Sequence, residues 1–173
     1  MIRPEPQLRV RALAPTDSIE ALTLLIRRAY APLAAMGFHF VATLQDDEMT
    51  RQRVAEGECF VAELAGRIVG TILLRPPTPS PRCAYYDRPD VASVHQLAVD
   101  PSQQRRGIGR SLVLAAETRA AELGVAEVAL DTAEEARHLV EQYQRWGYWI
   151  VDHVDWRPEV NYLSVVMAKR LGP

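Results

Sequence analysis

The 173 residues of this chain predict an α/β fold in one domain, residues 1–173. Runs rich in β-branched residues alternate with segments whose apolar residues recur at helical spacing. Their order is strand, helices, strands, helix, strand, helix, strands. Hydrophobic residues make up 48% of the chain and charged residues 24%, which is ordinary globular usage and disfavours extended disorder.

A short strand and two helices open the chain. The strand is predicted over Leu8–Leu13, and Asp17 is predicted as the N-cap of the helix that follows, with an acidic residue three positions later. Pro32 and Gly37, in the segment Ala31–His39, are expected to interrupt or redirect this helix, because proline lacks the N–H that an internal helical residue donates. A second helix is predicted over Gln45–Ala55.

A hairpin, a long loop and a central strand form the middle of the chain. The β-rich runs Cys59–Leu64 and Arg67–Leu74 are separated by an Ala-Gly pair, which predicts a hairpin. Arg75–Asp90 contains five prolines and predicts a surface loop without regular structure. The next β-rich run predicts a central strand over Val91–Val99.

The last third of the chain alternates helices and strands. A helix begins at Ile108, and a strand over Val125–Asp131 follows it. Thr132 and Glu135 match a capping box, so a further helix is expected from there to the residue before Gly147. Two β-rich segments complete the chain: Tyr148–Trp156 and Asn161–Lys169.

Charge and cysteine content exclude several classes of protein. The formal net charge is −2 at pH 7, so no nucleic-acid partner is expected, since such domains carry a basic excess. The only cysteines are Cys59 and Cys83, and no Cys/His spacing matches a metal site, so neither a disulfide framework nor a metal is predicted. Met1–Val10 has no signal-peptide core and no membrane span. A cytoplasmic protein with no membrane partner is therefore expected.

The most informative motif follows the central strand and predicts an anion-binding turn. The strand ends at Val99, and the spacing Gln104-x-x-Gly107-x-Gly109 stands directly before an amphipathic helix. The first N–H groups of a helix have no intrahelical partner, and the helix dipole adds positive potential there, so such a turn favours phosphate. Glycines, which have no Cβ atom, let the main chain approach the ligand closely.

This motif resembles the acetyl-CoA signature of the GNAT superfamily of N-acetyltransferases, and the order of elements resembles that fold across nearly the whole chain. The resemblance implies a mixed, mostly antiparallel sheet flanked by helices. A central parallel pair, Val91–Val99 and Val125–Asp131, would splay apart to hold the pantetheine arm of the cosubstrate, acetyl-CoA. The implied cofactor-binding residues are Leu97, Ala98 and Val99, chiefly through their backbone, and Gln104, Arg105, Arg106, Gly107, Ile108, Gly109 and Arg110 at the turn.

Tyr143 is the candidate general acid. The segment Tyr143-Gln-Arg-Trp-Gly-Tyr148 resembles the family's Y-x-x-x-G-F segment, with tyrosine in place of the final phenylalanine. Attack of an amine on a thioester releases a thiolate, and a phenol beside the sulfur can donate a proton as that charge develops. The other interpretation is a core tyrosine on the apolar face of its helix. The chain departs from the family at Ala136, where an asparagine is common.

The sequence offers no unique base for the acceptor amine, and His95 is the first candidate. Alternation along the central strand puts Ser93, His95, Leu97 and Val99 on one face, and an imidazole titrates near neutral pH. If His95 is the base, activity rises with pH through the histidine range. The other interpretation is a hydrogen-bonded structural histidine. Weaker candidate bases are Glu63, His39 and Asp131, whereas His138 and His153 are expected on the surface or in packing.

The acceptor site is expected in Tyr30–Phe40 and in the proline-rich loop, where Tyr85 and Tyr86 offer aromatic rings to an apolar or cationic amine. The expected partner is a small-molecule or peptide amine; a metabolite, an antibiotic, a polyamine, a peptide N-terminus and a lysine side chain all stay open, as does a homodimer. Neither cysteine has the setting of a nucleophile, which favours an N-acetyltransferase in which the amine attacks acetyl-CoA directly in a ternary complex. The alternative is a non-catalytic acyl-CoA-binding or regulatory module.

Overall fold

The protein folds around a sheet of seven strands, and the computed structural model describes residues 7–172. The strands are β1 (Arg9–Ala12), β2 (Glu58–Leu64), β3 (Arg67–Arg75), β4 (Val91–Val99), β5 (Glu127–Ala133), β6 (Trp149–Val154) and β7 (Ser164–Arg170). The α-helices of this part of the chain are α1 (Ile19–Ala35), α2 (Asp47–Val54), α3 (Ile108–Glu122) and α4 (Arg137–Arg145). The expectation for Met1–Val10 rests largely on residues 1–6, which lie outside the described residues.

The sheet is mixed and mostly antiparallel, as the sequence predicts. Its order is β1-β2-β3-β4-β5-β7-β6, and every neighbouring pair is antiparallel except β4 with β5. The predicted hairpin of β2 and β3 turns at Ala65 and Gly66, whose φ angles of 51° and 74° match a two-residue hairpin turn. The parallel strands β4 and β5 are joined through α3, because parallel neighbours require a crossover connection.

Apolar side chains fill both faces of the sheet. α3 covers one face, and α4 adds Tyr143 and Trp146 to the margin of the same group. α1 packs its apolar stripe on the opposite face. The proline-rich loop covers the rest of that opposite face with Tyr86, which packs against Val91 and Ala129. The loop has no helix or strand, as predicted, yet it forms part of the core.

β4 and β5 separate soon after they meet. Their pairing is limited to Val91–Ser93 with Glu127–Ala129, although β4 continues to Val99 and β5 to Ala133. The splayed parallel pair at the centre of the sheet is therefore confirmed. The two strands open a cleft at their carboxyl ends, which is where open α/β sheets bind ligands.

β4 contains a bulge at Gln96, where φ is +53°. Across the bulge β4 carries one residue more than β3 does, so the alternation of its side chains reverses. Leu97 and Val99 pack in the group on the α3 side, whereas the ring of His95 lies 6.2 Å from a tyrosine ring of the proline-rich loop, on the other side. The expectation that Ser93 and His95 share one face with Leu97 and Val99 is therefore wrong.

The start of α1 differs from the prediction, whereas its end falls in the predicted segment. Ser18, not Asp17, is the N-cap, and its Oγ accepts a hydrogen bond from the Ala21 N–H at 3.1 Å. Arg11 donates to Asp17 at 2.7 Å and lowers the pKa of that carboxyl. α1 continues through Pro32, which lies in the last turn and removes a single N–H donor, and it ends at Ala35, shortly before Gly37 with its φ of 94°.

The predicted capping box at Thr132 and Glu135 is also wrong. Thr132 belongs to β5, which stays paired with β7 as far as Ala133, and α4 begins only at Arg137. The residue before the helix, Ala136, makes no side-chain capping bond. Strand pairing with β7 outweighs the local capping tendency at this position.

None of the helices in residues 7–172 combines the length and the apolar character that crossing a membrane requires. In the same part of the chain, no group of three or more His, Cys, Asp or Glu side chains could hold a metal ion.

Candidate active site

A cavity of about 870 Å³ opens where β4 and β5 diverge. β4 contributes residues 94–99 to its wall, and β5 contributes residues 130–132. The lining also includes the glycine-rich turn before α3 and parts of α1, α2 and β3. The predicted cofactor residues other than Arg106, and part of the predicted acceptor segment Tyr30–Phe40, therefore border the same space.

The turn before α3 presents a row of unused backbone donors. None of the N–H groups from Gln104 to Arg110 donates a hydrogen bond within residues 7–172, and the first helical bond runs from the Ser111 N–H to the Gly107 carbonyl at 3.0 Å. Gly107 is the N-cap of α3 with a φ of 76°, a left-handed conformation that suits glycine. Consecutive free N–H groups at a helix start form an anion-binding cradle.

The three arginines of the turn differ in their surroundings. Arg105 is exposed and lines the cavity. Arg110 also lines it, and its Nη1 lies 3.4 Å from Glu117 Oε1. Arg106 lies outside the lining, and its Nη1 donates to Gln103 Oε1 at 2.6 Å. Of the three arginines of this turn, Arg105 and Arg110 are thus the ones whose guanidinium groups a ligand in the cavity can reach.

Tyr143 lies on α4 and lines the cavity. Its ring packs edge-on against Trp146 and Tyr148, with centroid distances of 5.6 Å and 6.1 Å. Burial raises the pKa of Tyr143 above that of a free phenol. The side chain therefore belongs to an aromatic cluster, as the packing interpretation requires, and also offers a protonated hydroxyl at neutral pH.

His95 lines the cavity directly before the bulge in β4. Its Nε2 lies 2.8 Å from Ser93 Oγ. Burial, together with the positive charges of Arg75 and Arg53, lowers the pKa of His95 to about 3. The imidazole is therefore neutral near pH 7, and an activity rise through the histidine range is no longer expected from it.

Asp131 is a carboxylate in the wall of the same cavity. Tyr86 Oη donates to its Oδ1 at 2.7 Å, and Trp156 Nε1 donates to its Oδ2 at 3.1 Å. Burial raises the pKa of Asp131, although both donors act in the opposite direction. Tyr86 and Tyr85, which donates to Glu127, lie outside the cavity lining, whereas Arg82 of the same proline-rich loop is part of it.

The other candidate bases lie elsewhere. Glu63 is on β2, outside the cavity, and its Oε2 lies 2.9 Å from Arg11 Nε. His39 is exposed and is not part of the lining. His138 and His153 are exposed, as predicted, although His138 borders the cavity. Of the three weaker candidate bases, Asp131 is thus the one that lines the cavity together with His95.

The cavity lining also contains residues outside the segments that the sequence analysis proposed, among them Arg53, Trp156 and Tyr162. They come from α2 and from the segment between β6 and β7. Because these segments are far apart along the chain, no spacing or local motif links their side chains.

A splayed parallel pair beside an anion-binding turn defines the class of coenzyme A-dependent acyltransferases. The sequence profile of the acetyltransferase (GNAT) family matches residues 23–148, and the chain belongs to this family as an N-acetyltransferase. A curated relative, the S-(2-succino)cysteine N-acetyltransferase of Bacillus subtilis (strain 168), is 33% identical over 169 residues, which cover 96% of this chain and 97% of that protein. The prediction that the chain is an enzyme is therefore confirmed, in preference to the alternative of a non-catalytic acyl-CoA-binding module.

Solved structures share the fold. The PaiA N-acetyltransferase of Thermoplasma acidophilum in complex with coenzyme A has a TM-score of 0.74 and 17% identity, covering 95% of this chain and 99% of that one. A GNAT family acetyltransferase from Elizabethkingia anophelis with acetyl-CoA bound has a TM-score of 0.69 and 16% identity, covering 95% and 98%. Identities this low show a common architecture and leave the acceptor to be inferred from the site.

Proposed function

We propose that this chain transfers an acetyl group from acetyl-CoA to an amine, which attacks the thioester directly in a ternary complex. The observation that carries the proposal is the row of unused N–H groups from Gln104 to Arg110 beside a cleft that also contains Tyr143. Such donors fit the phosphates of coenzyme A. When bound, acetyl-CoA supplies an activated acyl group.

The proposed cofactor-binding residues fall into two groups. Leu97, Ala98 and Val99 present backbone to the part of the cleft where β5 no longer pairs with β4. The turn from Gln104 to Arg110 offers its N–H groups to the phosphates. Its lining guanidinium groups add charge-assisted contacts, whereas Arg106 contributes its backbone alone.

The surroundings of both cysteines support direct attack. Cys59 and Cys83 are buried, and neither belongs to the cavity lining. Desolvation raises the pKa of both thiols, so the nucleophilic thiolate is disfavoured. A covalent acetyl-cysteine therefore has no support from the site.

Tyr143 and His95 are the proposed catalytic residues. The protonated Tyr143 hydroxyl donates to the sulfur of the leaving thiolate. The neutral His95 imidazole accepts a hydrogen bond from the amine, and it takes a proton from the attacking nitrogen, which becomes acidic as its bond to the carbonyl carbon forms. With a pKa of about 3, His95 does not deprotonate a free ammonium group, so the amine arrives neutral.

The experiment that tests this proposal measures the release of free coenzyme A when the protein and acetyl-CoA are mixed with each member of a panel of small-molecule amines and peptides. We expect release that depends on the amine and equals the N-acetylated product formed, with no acetylated protein. The relative named S-(2-succino)cysteine N-acetyltransferase supports small molecules as the first amines of the panel. A stable acetyl-protein formed without amine would contradict direct attack, and binding of acetyl-CoA without release by any amine would contradict transfer.

The pH dependence provides a separate prediction for His95. With a pKa lowered to about 3, His95 is already neutral throughout the histidine range, so an activity rise between about pH 5 and 8 is expected to come from another group. We expect His95→Ala to lower kcat across the whole profile and to retain that rise. Loss of the rise in a folded His95→Ala enzyme would show that His95 titrates in the histidine range after all.

A further inference from the structure

An arginine without a carboxylate partner lies on the acceptor side of the cavity. Six arginines in residues 7–172 are half-buried, and five of them lie within 3.4 Å of a carboxylate oxygen. Arg53 is the exception, because its contact is a long hydrogen bond of 3.4 Å from Nη1 to Gln45 Oε1. Burial lowers the pKa of Arg53, which shows that this guanidinium is desolvated. A desolvated charge is costly unless a counter-ion binds it.

Arg75 is a second donor in the same wall. Its Nε is buried and has no hydrogen-bond partner among the described residues, although Glu56 Oε2 lies 3.3 Å away in a poor orientation. The charges of Arg75 and Arg53 both depress the pKa of His95, so both guanidinium groups act on the proposed base. Both arginines line the cavity.

These arginines are separate from the coenzyme A turn. Arg53 is on α2 and Arg75 ends β3, whereas the turn precedes α3, which packs on the other face of the sheet. The turn has its own row of N–H donors for phosphate. Arg53, which has no ion-pair partner among the described residues, and Arg75, whose Nε makes no hydrogen bond to the nearby Glu56, are therefore available to a different anion.

We propose that the acceptor is a small-molecule amine that carries a carboxylate, of the amino-acid type, and that Arg53 and Arg75 bind this carboxylate. The inference rests on the proposed acetyl transfer and names its substrate class. Guanidinium groups bind carboxylates through charge-assisted, often bidentate hydrogen bonds. The same charges repel a polyamine. Tyr30, Phe40 and Tyr162 form an aromatic wall, with ring centroids 5.3 Å and 4.8 Å apart, against which the rest of the acceptor packs.

The test compares amines that differ only by the carboxylate. Acceptor pairs are L-methionine with 3-(methylthio)propylamine and L-phenylalanine with 2-phenylethylamine. We expect the wild-type enzyme to prefer the amino acid of each pair in kcat/KM, and Arg53→Gln or Arg75→Gln to reduce that preference about ten-fold or more. Arg51→Gln is the matched control, because Arg51 is exposed on the same helix and pairs with Glu48.

Each kinetic outcome has a defined meaning. Loss of the carboxylate preference in the Arg53 and Arg75 variants, with the control unchanged, supports the assignment. An equal loss for both members of each pair assigns the arginines a structural role and overturns it. A wild-type enzyme that prefers the amine without a carboxylate overturns it as well.

A binding measurement keeps the inference separate from the proposed activity. The coenzyme A complex is titrated calorimetrically with succinate, a dicarboxylate that has no amine. Binding by the wild-type protein that weakens about ten-fold or more in Arg53→Gln supports the carboxylate site, even if no amine of the panel is acetylated. Absence of succinate binding, or binding that the variant leaves unchanged, overturns it.

Discussion

Gly109→Glu is expected to weaken coenzyme A binding at least about 100-fold. Gly109 lines the cavity at the start of α3, between N–H groups that have no partner among the described residues. A glutamate there places a carboxylate beside the phosphate cradle, and a juxtaposition of like charges costs several kcal/mol. Calorimetric titration of coenzyme A into the folded variant measures the effect.

Gly109→Ala is the matched control for that substitution. A Cβ at this position would lie 3.5 Å from Trp146 Cη2 and 3.7 Å from Val99 Cγ2, which are ordinary contact distances. We expect this variant to fold and to lose far less affinity for coenzyme A than Gly109→Glu does, because it adds a methyl group without a charge. Gly107 is a poorer test site, because its φ of 76° would strain any other residue. Wild-type affinity in Gly109→Glu would place the phosphates elsewhere.

Tyr143→Phe should lower turnover by about 100-fold while leaving the affinity for acetyl-CoA intact. The substitution removes the proton donor, and a positioned acid contributes about this factor. The ring remains, so its edge-on contacts with Trp146 and Tyr148 are kept. Rapid-quench measurement of the first turnover, together with calorimetry for acetyl-CoA, separates the chemical step from binding.

Tyr85→Phe controls for the loss of a phenol outside the cavity. Its hydroxyl donates to Glu127, and the side chain is not part of the lining. We expect normal turnover from this variant, with a lower Tm because a partly buried hydrogen bond is lost. If Tyr143→Phe kept full first-turnover rates, Tyr143 would have a packing role alone.

Most of the fold could be predicted because its signals are local. The hairpin at Ala65–Gly66 and the turn at Gly107 require left-handed backbone, and glycine at each turn marks this in the sequence. The errors arise where distant pairing decides the structure. In the sequence Thr132 matches a helix cap, but in the structure its pairing with β7 keeps it in β5. The bulge at Gln96 depends on the register with β3, and no residue of β4 indicates that register in the sequence.

The candidate site also consists of a part that could be predicted from local sequence and a part that could not. The cofactor turn is a contiguous segment, so its donors could be assigned from the sequence. The acceptor half gathers Arg53, Arg75 and Tyr162 from segments separated along the chain, and their relation exists only after folding. The low pKa of His95 could not be predicted from the sequence for the same reason, since the burial and the two positive charges that lower this pKa come from other elements.

The bulge in β4 allows one strand to serve two binding partners independently. Upstream of Gln96, His95 points towards the proline-rich loop, and downstream of it Leu97 packs on the α3 side. Substitutions at position 95 are therefore expected to change the proposed chemical step without moving Leu97 and Val99 on the cofactor side. The bulge in this way separates two functions that a regular strand would couple. Deletion of Gln96 would remove the separation, because a shift of one residue moves every following side chain to the opposite face.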